Sequence, residues 1–170
     1  IHVIDPGTEA RAKLAEAYGV NCHASATEAP SAPDVLLLAV KPQQMKDAVA
    51  PLLGRLGNAV VVSIAAGLDM AALSRWLGGH RKIVRCMPNT PALIGAGITG
   101  LCALPEVSAS ERDAAERVLR AVGTTVWIAD EAQMDGVTAL SGSGPAYVFL
   151  FIEAMQQAAA DLGFTPEQGR

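Results

Sequence analysis

Residues 35–42, Val-Leu-Leu-Leu-Ala-Val-Lys-Pro, form an unbroken apolar run that ends at a lysine and a proline. A second run of this kind spans residues 59–64, Ala-Val-Val-Val-Ser-Ile. Strands with one wet face alternate apolar and polar residues, whereas continuous apolar runs are typical of strands covered on both faces of a parallel sheet. The two runs therefore predict a parallel sheet that lies between layers of helices.

Helical segments alternate with strands along the rest of the chain. Strands of a parallel sheet are joined by such helices, which cover both faces of the sheet. We therefore predict an α/β fold with a doubly wound, mostly parallel sheet, and leave open whether the strands after residue 97 are parallel. The other expected strands cover 1–5, 83–87, 97–103 and 124–128, and the expected helices cover 9–18, 43–53, 69–77, 108–122 and 145–162.

Composition excludes several classes of protein. With 170 residues, 51% of them hydrophobic, the chain can bury a core and is not a disordered segment. A net charge of −4, without a basic run, argues against nucleic acid or an anionic membrane as a partner. The longest apolar run, residues 146–152, is far shorter than the roughly 20 residues of a membrane span. The expected partner is a small molecule.

Cysteine and histidine usage points to a reducing compartment without a metal site. Cys22, Cys86 and Cys102 lie in or beside apolar runs, and their spacing is not that of metal ligands. The three histidines are scattered along the chain. An odd number of cysteines in apolar surroundings is typical of free buried thiols, so we predict a cytoplasmic protein with no metal.

Both ends of the chain fall inside predicted elements. Residue 1 already lies in the first strand, and no initiator Met or leader precedes it. At the other end, Thr165, Pro166 and Gln168 have the order of an N-cap, a first helical residue and a capping-box partner. The sequence therefore predicts the middle part of a longer protein.

Three unusual loops follow predicted strands, where ligands bind in open α/β sheets. In residues 85–91, Arg-Cys-Met-Pro-Asn-Thr-Pro, two prolines hold the Asn-Thr pair in a stiff loop. Lys41 follows the first apolar run, and its ammonium suits a phosphate or carboxylate. Residues 63–67, Ser-Ile-Ala-Ala-Gly, are small enough for a flat ring such as nicotinamide to approach the backbone.

Asp5 ends the first strand where a dinucleotide-binding domain places an acid against the adenosine ribose. The Asp-Pro-Gly sequence equally predicts an ordinary turn in which Asp5 caps the next helix. Both interpretations stay open. A carboxylate at this position favours NAD over NADP weakly, although Arg11 on the following helix is suited to a phosphate.

Residues 141–145, Ser-Gly-Ser-Gly-Pro, precede a long apolar helix. A flexible linker is the usual interpretation of a Gly-Ser sequence. The proline favours another: free amides of the first helical turn, together with the two serine hydroxyls, bind a carboxylate. The helix itself is apolar on every side over 146–152, which predicts a core helix or a dimer interface, and we favour the interface.

Four motifs together resemble the pyrroline-5-carboxylate reductase family. They are 38–43 (Leu-Ala-Val-Lys-Pro-Gln), 63–67 (Ser-Ile-Ala-Ala-Gly), 84–91 (Val-Arg-Cys-Met-Pro-Asn-Thr-Pro) and 140–147 (Leu-Ser-Gly-Ser-Gly-Pro-Ala-Tyr), in the order of the family. The resemblance covers essentially the whole chain. It implies a Rossmann domain over 1–133, without its first strand and glycine-rich loop, and the truncated beginning of an all-α dimerisation and substrate domain over 134–170.

The resemblance also implies an activity: reduction of 1-pyrroline-5-carboxylate to L-proline by hydride transfer from NAD(P)H, the last step of proline biosynthesis. It implies a homodimer or larger homo-oligomer, with NADP as the cofactor and NAD left open. The segment that binds the substrate carboxylate and places the main catalytic hydroxyl at the imine is expected in the C-terminal part that this chain lacks. Expected cofactor-binding residues are Asp5, Ala39, Val40, Lys41, Pro42, Ser63, Ala65, Ala66, Gly67, Met87, Pro88, Asn89 and Thr90; expected substrate-binding residues are Ser141, Gly142, Ser143, Gly144 and Pro145.

Two other functions stay open. A related Rossmann imine or hydroxyacid oxidoreductase would place a catalytic Lys or Asp in the helical domain, where residues 140–161 offer Glu153 and Asp161. A truncated relative would instead serve as a non-catalytic, nucleotide-binding dimerisation module.

Overall fold

The computed structural model describes residues 1–169 and divides them into two compact units. The first unit comprises residues 1–85 and 103–115, and the second comprises 86–102 and 116–169. Both units contain strands, so this division differs from the domain boundary expected at residue 133. That boundary concerns where the helical domain begins along the chain, and it stays a prediction.

The first unit contains parallel strands, as predicted. Its strand β1 (His2–Ile4) pairs with β2 (Asn21–His23) in a separate two-stranded sheet. Strand β3 (Val35–Leu38) pairs with β4 (Val60–Ser63), and β4 pairs with the start of β5 (Ile83–Met87). All four residues of β4 are buried, which agrees with a strand covered on both faces.

Helices of the first unit begin and end where sequence signals place them, with one exception. Helix α1 (Thr8–Tyr18) ends at Gly19, whose φ of 62° lies in the left-handed region that favours glycine. Helix α3 (Met70–Trp76) begins after Asp69, whose side chain accepts a hydrogen bond from the Ala72 amide. The last helix, α4 (Ala109–Arg120), starts in this unit.

The single helix expected over residues 43–53 is wrong. The structure has a 3-10 turn at Pro42–Gln44, a short helix α2 (Met45–Val49) and a second 3-10 turn at Ala50–Leu52. Pro51 lies in the second turn, and a proline has no amide hydrogen to continue an α-helix. The apolar periodicity persists across the break, with Met45, Val49 and Leu52 buried, which is why it predicted one helix.

The second unit contains most of β6 (Gly97–Ala103) and all of β7 (Gly123–Trp127), which pair in parallel. This settles part of what the sequence left open, because these two strands after residue 97 are parallel to each other. Strand β6 packs closely on helix α5 (Met134–Val137), because a Cβ atom added to Gly100 would lie 2.9 Å from Val137 Cγ1.

A continuous helical stretch runs from Glu131 to Asp161 in the second unit. It consists of a 3-10 turn, α5, a π-helical turn at Thr138–Gly142 and helix α6 (Gly144–Asp161). The sequence predicted a loop over 141–144, and this prediction is wrong, because those residues continue the helix.

Helix α6 exposes nearly all of its large apolar side chains. Phe149, Leu150 and Phe151 are 59%, 67% and 65% exposed. Within residues 1–169, the stretch Glu131–Asp161 is the one helical segment long and apolar enough to cross a membrane by length and composition. A helix that packs against another protein chain meets the same criterion, so the predicted absence of a membrane partner stays a prediction.

The start of α4 is stabilised by a capping box with an added ion pair. Glu111 accepts hydrogen bonds from the Ser108 amide at 2.9 Å and from Lys82 Nζ at 2.6 Å. The Ser108 hydroxyl in turn accepts from the Glu111 amide at 3.4 Å. The Lys82 ammonium, followed by the Ser108 amide, lowers the pKa of Glu111 to about 2.

We expect Glu111 to contribute an acid-dependent part of the stability. A carboxyl with a depressed folded pKa stabilises the fold above its unfolded pKa of about 4.3 and loses this contribution as the pH falls toward its folded pKa. Glu111→Gln should therefore flatten the fall in melting temperature between pH 5 and pH 2, measured by circular dichroism. The control is Glu9→Gln, which removes an exposed pair with Lys13 and should leave the slope unchanged. Equal slopes in all three proteins would contradict the expectation.

Candidate functional site

Two of the predicted cofactor-binding loops leave the same edge of the sheet in the first unit. Leu38 at the end of β3 lies opposite Ser63 at the end of β4, and the Ile64 amide donates to the Leu38 carbonyl at 3.2 Å. Residues 39–42 and 64–67 are therefore neighbours at the carboxyl ends of two parallel strands. This is the edge at which an open α/β sheet binds ligands.

The residues of these loops differ in their surroundings. Ser63 is fully buried, and its hydroxyl accepts a hydrogen bond from the Ala65 amide at 3.3 Å. Lys41 is exposed, and its carbonyl accepts from the Gln44 amide to begin the 3-10 turn at Pro42. Gly67 is exposed with a φ of 71°, a conformation that favours glycine. The two loops thus expose the Lys41 ammonium and several small residues at the ends of strands that pack in the core.

Asp5 forms the turn that the sequence predicted as one of two alternatives. Its Oδ1 accepts a hydrogen bond from the Gly7 amide at 2.7 Å. Its carbonyl accepts from Arg11 Nη1 at 2.6 Å, and Arg11 Nη2 also donates to the Thr8 hydroxyl at 3.3 Å. The turn is confirmed, but the expectation that Asp5 caps the next helix is wrong, because Gly7 is the N-cap of α1 and no side chain caps this helix. The contact with a ribose stays a prediction, since the second oxygen of the carboxylate could make it.

In the second unit, Asn89 connects two distant motifs. Its Oδ1 accepts from the Ile98 amide at 2.9 Å, and its Nδ2 donates to the Ser141 hydroxyl at 3.4 Å. Asn89 and Ser141 are both half-buried. The stiff Pro-Asn-Thr-Pro loop is therefore held against the Ser-Gly segment of the long helix, although 52 residues separate the two along the chain.

The π-helical turn changes how residues 141–145 can bind a ligand. The Ser143 amide donates to the Thr138 carbonyl at 2.8 Å, and the Ala146 amide donates to the Ser143 carbonyl at 3.0 Å. The free first-turn amides that the sequence predicted are therefore engaged at these two positions. The serine hydroxyls are left as the polar groups suited to a carboxylate. π-helical turns often mark functional sites, because they disturb the regular hydrogen bonding of a helix.

Met87 packs directly on this turn. A Cβ atom added to Gly142 would lie 2.7 Å from Met87 Cε, so any other residue at position 142 would push the end of the flexible Met87 side chain aside. Met87 and Pro88 are half-buried, whereas Thr90 is exposed. The structure thus brings Met87, Asn89, Ser141 and Gly142 together within the second unit.

Sequence reasoning missed two residues that shape the site. The Ile98 amide orients Asn89, but a backbone contact across nine residues leaves no trace in the sequence. Thr138 supplies the carbonyl of the π-turn, and its hydroxyl donates to the Met134 carbonyl at 2.9 Å. A threonine within a predicted helix is a signal of such a bond, because its hydroxyl can donate to the backbone carbonyl four residues earlier.

The described residues show neither a reactive thiol at Cys86 nor a metal-binding cluster. Burial raises the pKa of the Cys86 thiol, with a further contribution from Cys102, so Cys86 is not a thiolate nucleophile. Within residues 1–169, no group of three or more His, Cys, Asp or Glu side chains is placed to hold a metal ion.

Two family models match parts of the chain. The model described as pyrroline-5-carboxylate reductase dimerisation matches residues 131–170. The model described as NADP oxidoreductase coenzyme F420-dependent matches residues 1–67. The matched segments correspond to the long helix and to the first strands and loops.

Named relatives match nearly the whole chain. The pyrroline-5-carboxylate reductase of Pseudomonas aeruginosa is 49% identical over 170 residues, which cover 98% of this chain and 62% of that protein. The structure of the pyrroline-5-carboxylate reductase from Coxiella burnetii is 39% identical with a TM-score of 0.89, covering 99% of this chain and 63% of that one. The Plasmodium falciparum pyrroline carboxylate reductase with NADP bound is 30% identical with a TM-score of 0.85, covering 99% and 61%. The chain therefore spans less than two thirds of each relative.

We expect Gly142→Ala to displace Met87 at little cost. The added methyl group would lie 2.7 Å from Met87 Cε, which is the far end of a flexible side chain and can turn aside. The melting temperature, measured by differential scanning fluorimetry, should change by less than about 4 °C, which corresponds to about 1 kcal/mol for a chain of this size. Gly144→Ala is the matched control, since its Cβ atom would meet no atom within 4 Å. A much larger fall in Gly142→Ala than in the control would contradict the expectation.

Proposed function

Because this chain belongs to the pyrroline-5-carboxylate reductase family, we propose that the protein reduces 1-pyrroline-5-carboxylate to L-proline with a nicotinamide cofactor. One observation carries the proposal: the Asn89–Ser141 hydrogen bond, which joins two motifs of this family that lie far apart in sequence. It places a stiff polar loop beside serines on a helix, an arrangement suited to a small acid.

The loops of the first unit fit a dinucleotide. Residues 39–42 and 64–67 leave one sheet edge together, and the exposed Lys41 ammonium suits a phosphate. Ala65, Ala66 and Gly67 have little or no side chain to hold a flat ring away from the backbone. The Asp5 carboxylate has one oxygen engaged by Gly7, and the other is suited to a ribose hydroxyl. We assign Ala39, Val40, Pro42, Ser63, Met87, Pro88, Asn89 and Thr90 to the same cofactor.

The bound nicotinamide supplies the hydride that the imine carbon of the substrate accepts. A protonated imine is already electrophilic, so the chain's task is to hold the substrate, neutralise its carboxylate and keep water out. We assign Ser141 and Ser143 to the substrate site, where their hydroxyls are suited to a polar ligand, and Gly142, Gly144 and Pro145 shape the helix around them. The main hydroxyl that faces the imine is expected on the part of the family protein that follows residue 170.

NADP is the proposed cofactor. The family model that matches residues 1–67 is described as an NADP oxidoreductase, and the Plasmodium relative has NADP bound. The Asp5 carboxylate is the one feature that favours NAD, because it repels a 2′-phosphate. We also propose that the protein acts in the cytoplasm, as expected for free thiols of which two are buried.

A second copy of the chain is the proposed partner of α6. The family model described as dimerisation covers residues 131–170, which include the exposed apolar helix. Phe149, Leu150 and Phe151 lie on successive positions of α6, and burying three such side chains would stabilise a dimer by several kcal/mol at about 2 kcal/mol each. We propose that the helical domain begins near residue 134, the boundary that the sequence predicts.

The reaction is tested by mixing the full-length protein with racemic 1-pyrroline-5-carboxylate and either NADPH or NADH. We expect substrate-dependent oxidation of the nicotinamide at 340 nm with L-proline as the product, and a larger kcat/KM with NADPH. The control omits the imino acid. A full-length protein that binds nucleotide but forms no proline with either cofactor would overturn the proposed reaction.

The dimer is tested by Phe151→Glu. A charge buried in an apolar interface without a partner is costly, so the dimer dissociation constant should rise at least about tenfold. Sedimentation velocity over a range of protein concentrations measures this constant. Gln156→Glu places the same charge at a polar position of the same helix and should leave the dimer largely intact. Equal dissociation constants for the two variants would argue against α6 as the interface.

A further inference from the structure

We propose that the dimer has a second contact surface: the 3-10 turn Thr90–Ile94, whose Leu93 and Ile94 side chains pack against a second copy of the chain. This inference rests on the proposed dimer and extends it, because the turn lies outside the segment 131–170 that the dimerisation model matches. It also places a dimer contact directly after the proposed cofactor-binding residues 87–90.

Leu93 and Ile94 are among the most exposed apolar side chains of the described residues. They are 90% and 83% exposed and adjacent in the sequence. A single exposed leucine is ordinary, whereas neighbouring large aliphatic side chains form an apolar patch on the surface. Residues 91–94, Pro-Ala-Leu-Ile, are all apolar, so no polar side chain interrupts this part of the turn. Such a patch is typical of a surface that contacts another protein chain.

The backbone of the turn is fixed against strand β6. The Ala92 amide donates to the Asn89 carbonyl at 3.1 Å. A Cβ atom added to Gly97, the first residue of β6, would lie 2.8 Å from Ala92 Cα, so the two backbones are in close contact. The Asn89 side chain also accepts from the Ile98 amide of β6 at 2.9 Å. The aliphatic pair therefore stands on an ordered backbone, which lowers the entropy cost of a contact with another chain.

The neighbourhood of the turn indicates that a second copy of the chain covers it. Asn89, which precedes the turn, donates to the Ser141 hydroxyl at 3.4 Å, and Ser141 belongs to the segment that the dimerisation model matches. Leu140, the residue before Ser141, is 81% exposed. The turn and the dimerisation segment are thus joined within the second unit, and each exposes apolar side chains close in sequence to that hydrogen bond. We therefore extend the interface from the helical stretch to the turn.

The first test combines Leu93→Ser with Ile94→Ser in the full-length protein. Both side chains are exposed in the single subunit, so its fold should be about as stable as before, measured by circular dichroism. Their loss from a buried contact should raise the dimer dissociation constant at least about tenfold, measured by sedimentation velocity. Leu53→Ser is the matched control, because Leu53 is a 50% exposed leucine of the first unit and its loss should leave the constant unchanged.

The second test measures coverage of the turn without relying on binding energy. Leu93→Cys introduces a thiol, and its alkylation by a water-soluble maleimide reports whether position 93 is accessible. Alkylation should be several-fold slower at protein concentrations above the dimer dissociation constant than below it. Leu53→Cys should react at the same rate at both concentrations. The natural thiols give the same background in each protein, since Cys86 and Cys102 are buried and Cys22 is half-buried.

Two results would overturn the second surface alone. One is a wild-type dimer whose dissociation constant the double variant leaves unchanged, and the other is equal alkylation of Leu93→Cys above and below that constant. Both leave the proposed α6 interface standing, because Phe151→Glu tests it separately. A wild-type protein that stays monomeric overturns the proposed dimer and the second surface together.

Discussion

The parallel pairing of β3 with β4 is the constraint on which the first unit depends. It places Leu38 opposite Ser63, and it therefore decides that the loops after both strands leave one edge together. Strand β4 is buried on both faces, so a shift of one residue would exchange all of its side chains between two packed layers. The position of the exposed Lys41 and of the small residues after Ser63 is thus set by core packing.

Six of the seven strands could be predicted from the sequence because their cause is local, whereas the three-residue strand β2 (Asn21–His23) was missed. The apolar runs that define β5 and β6 stop at prolines or polar residues, and the predicted bounds 83–87 and 97–103 are those observed. The single helix expected over 43–53 is interrupted before Pro51. The helical spacing of apolar residues continues past this point, whereas the α-helical hydrogen bonds do not. The spacing of apolar residues indicates which side chains face the core. It indicates less reliably whether the backbone between them is one continuous α-helix.

The sequence predicted which segments form the candidate site, but it did not predict the contacts between them. The Pro-Asn-Thr-Pro loop and the Ser-Gly segment were both expected to face a ligand. Their hydrogen bond, the Ile98 amide and the contact of Met87 with Gly142 are long-range contacts that local preferences do not contain. Serine and glycine indicate a flexible linker by composition, and here the packing of neighbouring elements holds them in a helix.

The π-helical turn at Thr138–Gly142 has a geometric consequence for the long helix. A π-turn adds one residue to a turn of the helix, and each residue of an α-helix rotates the chain by about 100°. The apolar side chains of α6 are therefore rotated about the axis relative to those of α5 that pack under β6. Ser141, beside Asn89, and the exposed phenylalanines Phe149 and Phe151 lie on the same continuous helical stretch. The number of residues in the π-helical turn therefore sets the angle about the helix axis between the proposed substrate-binding serine and the proposed dimer interface.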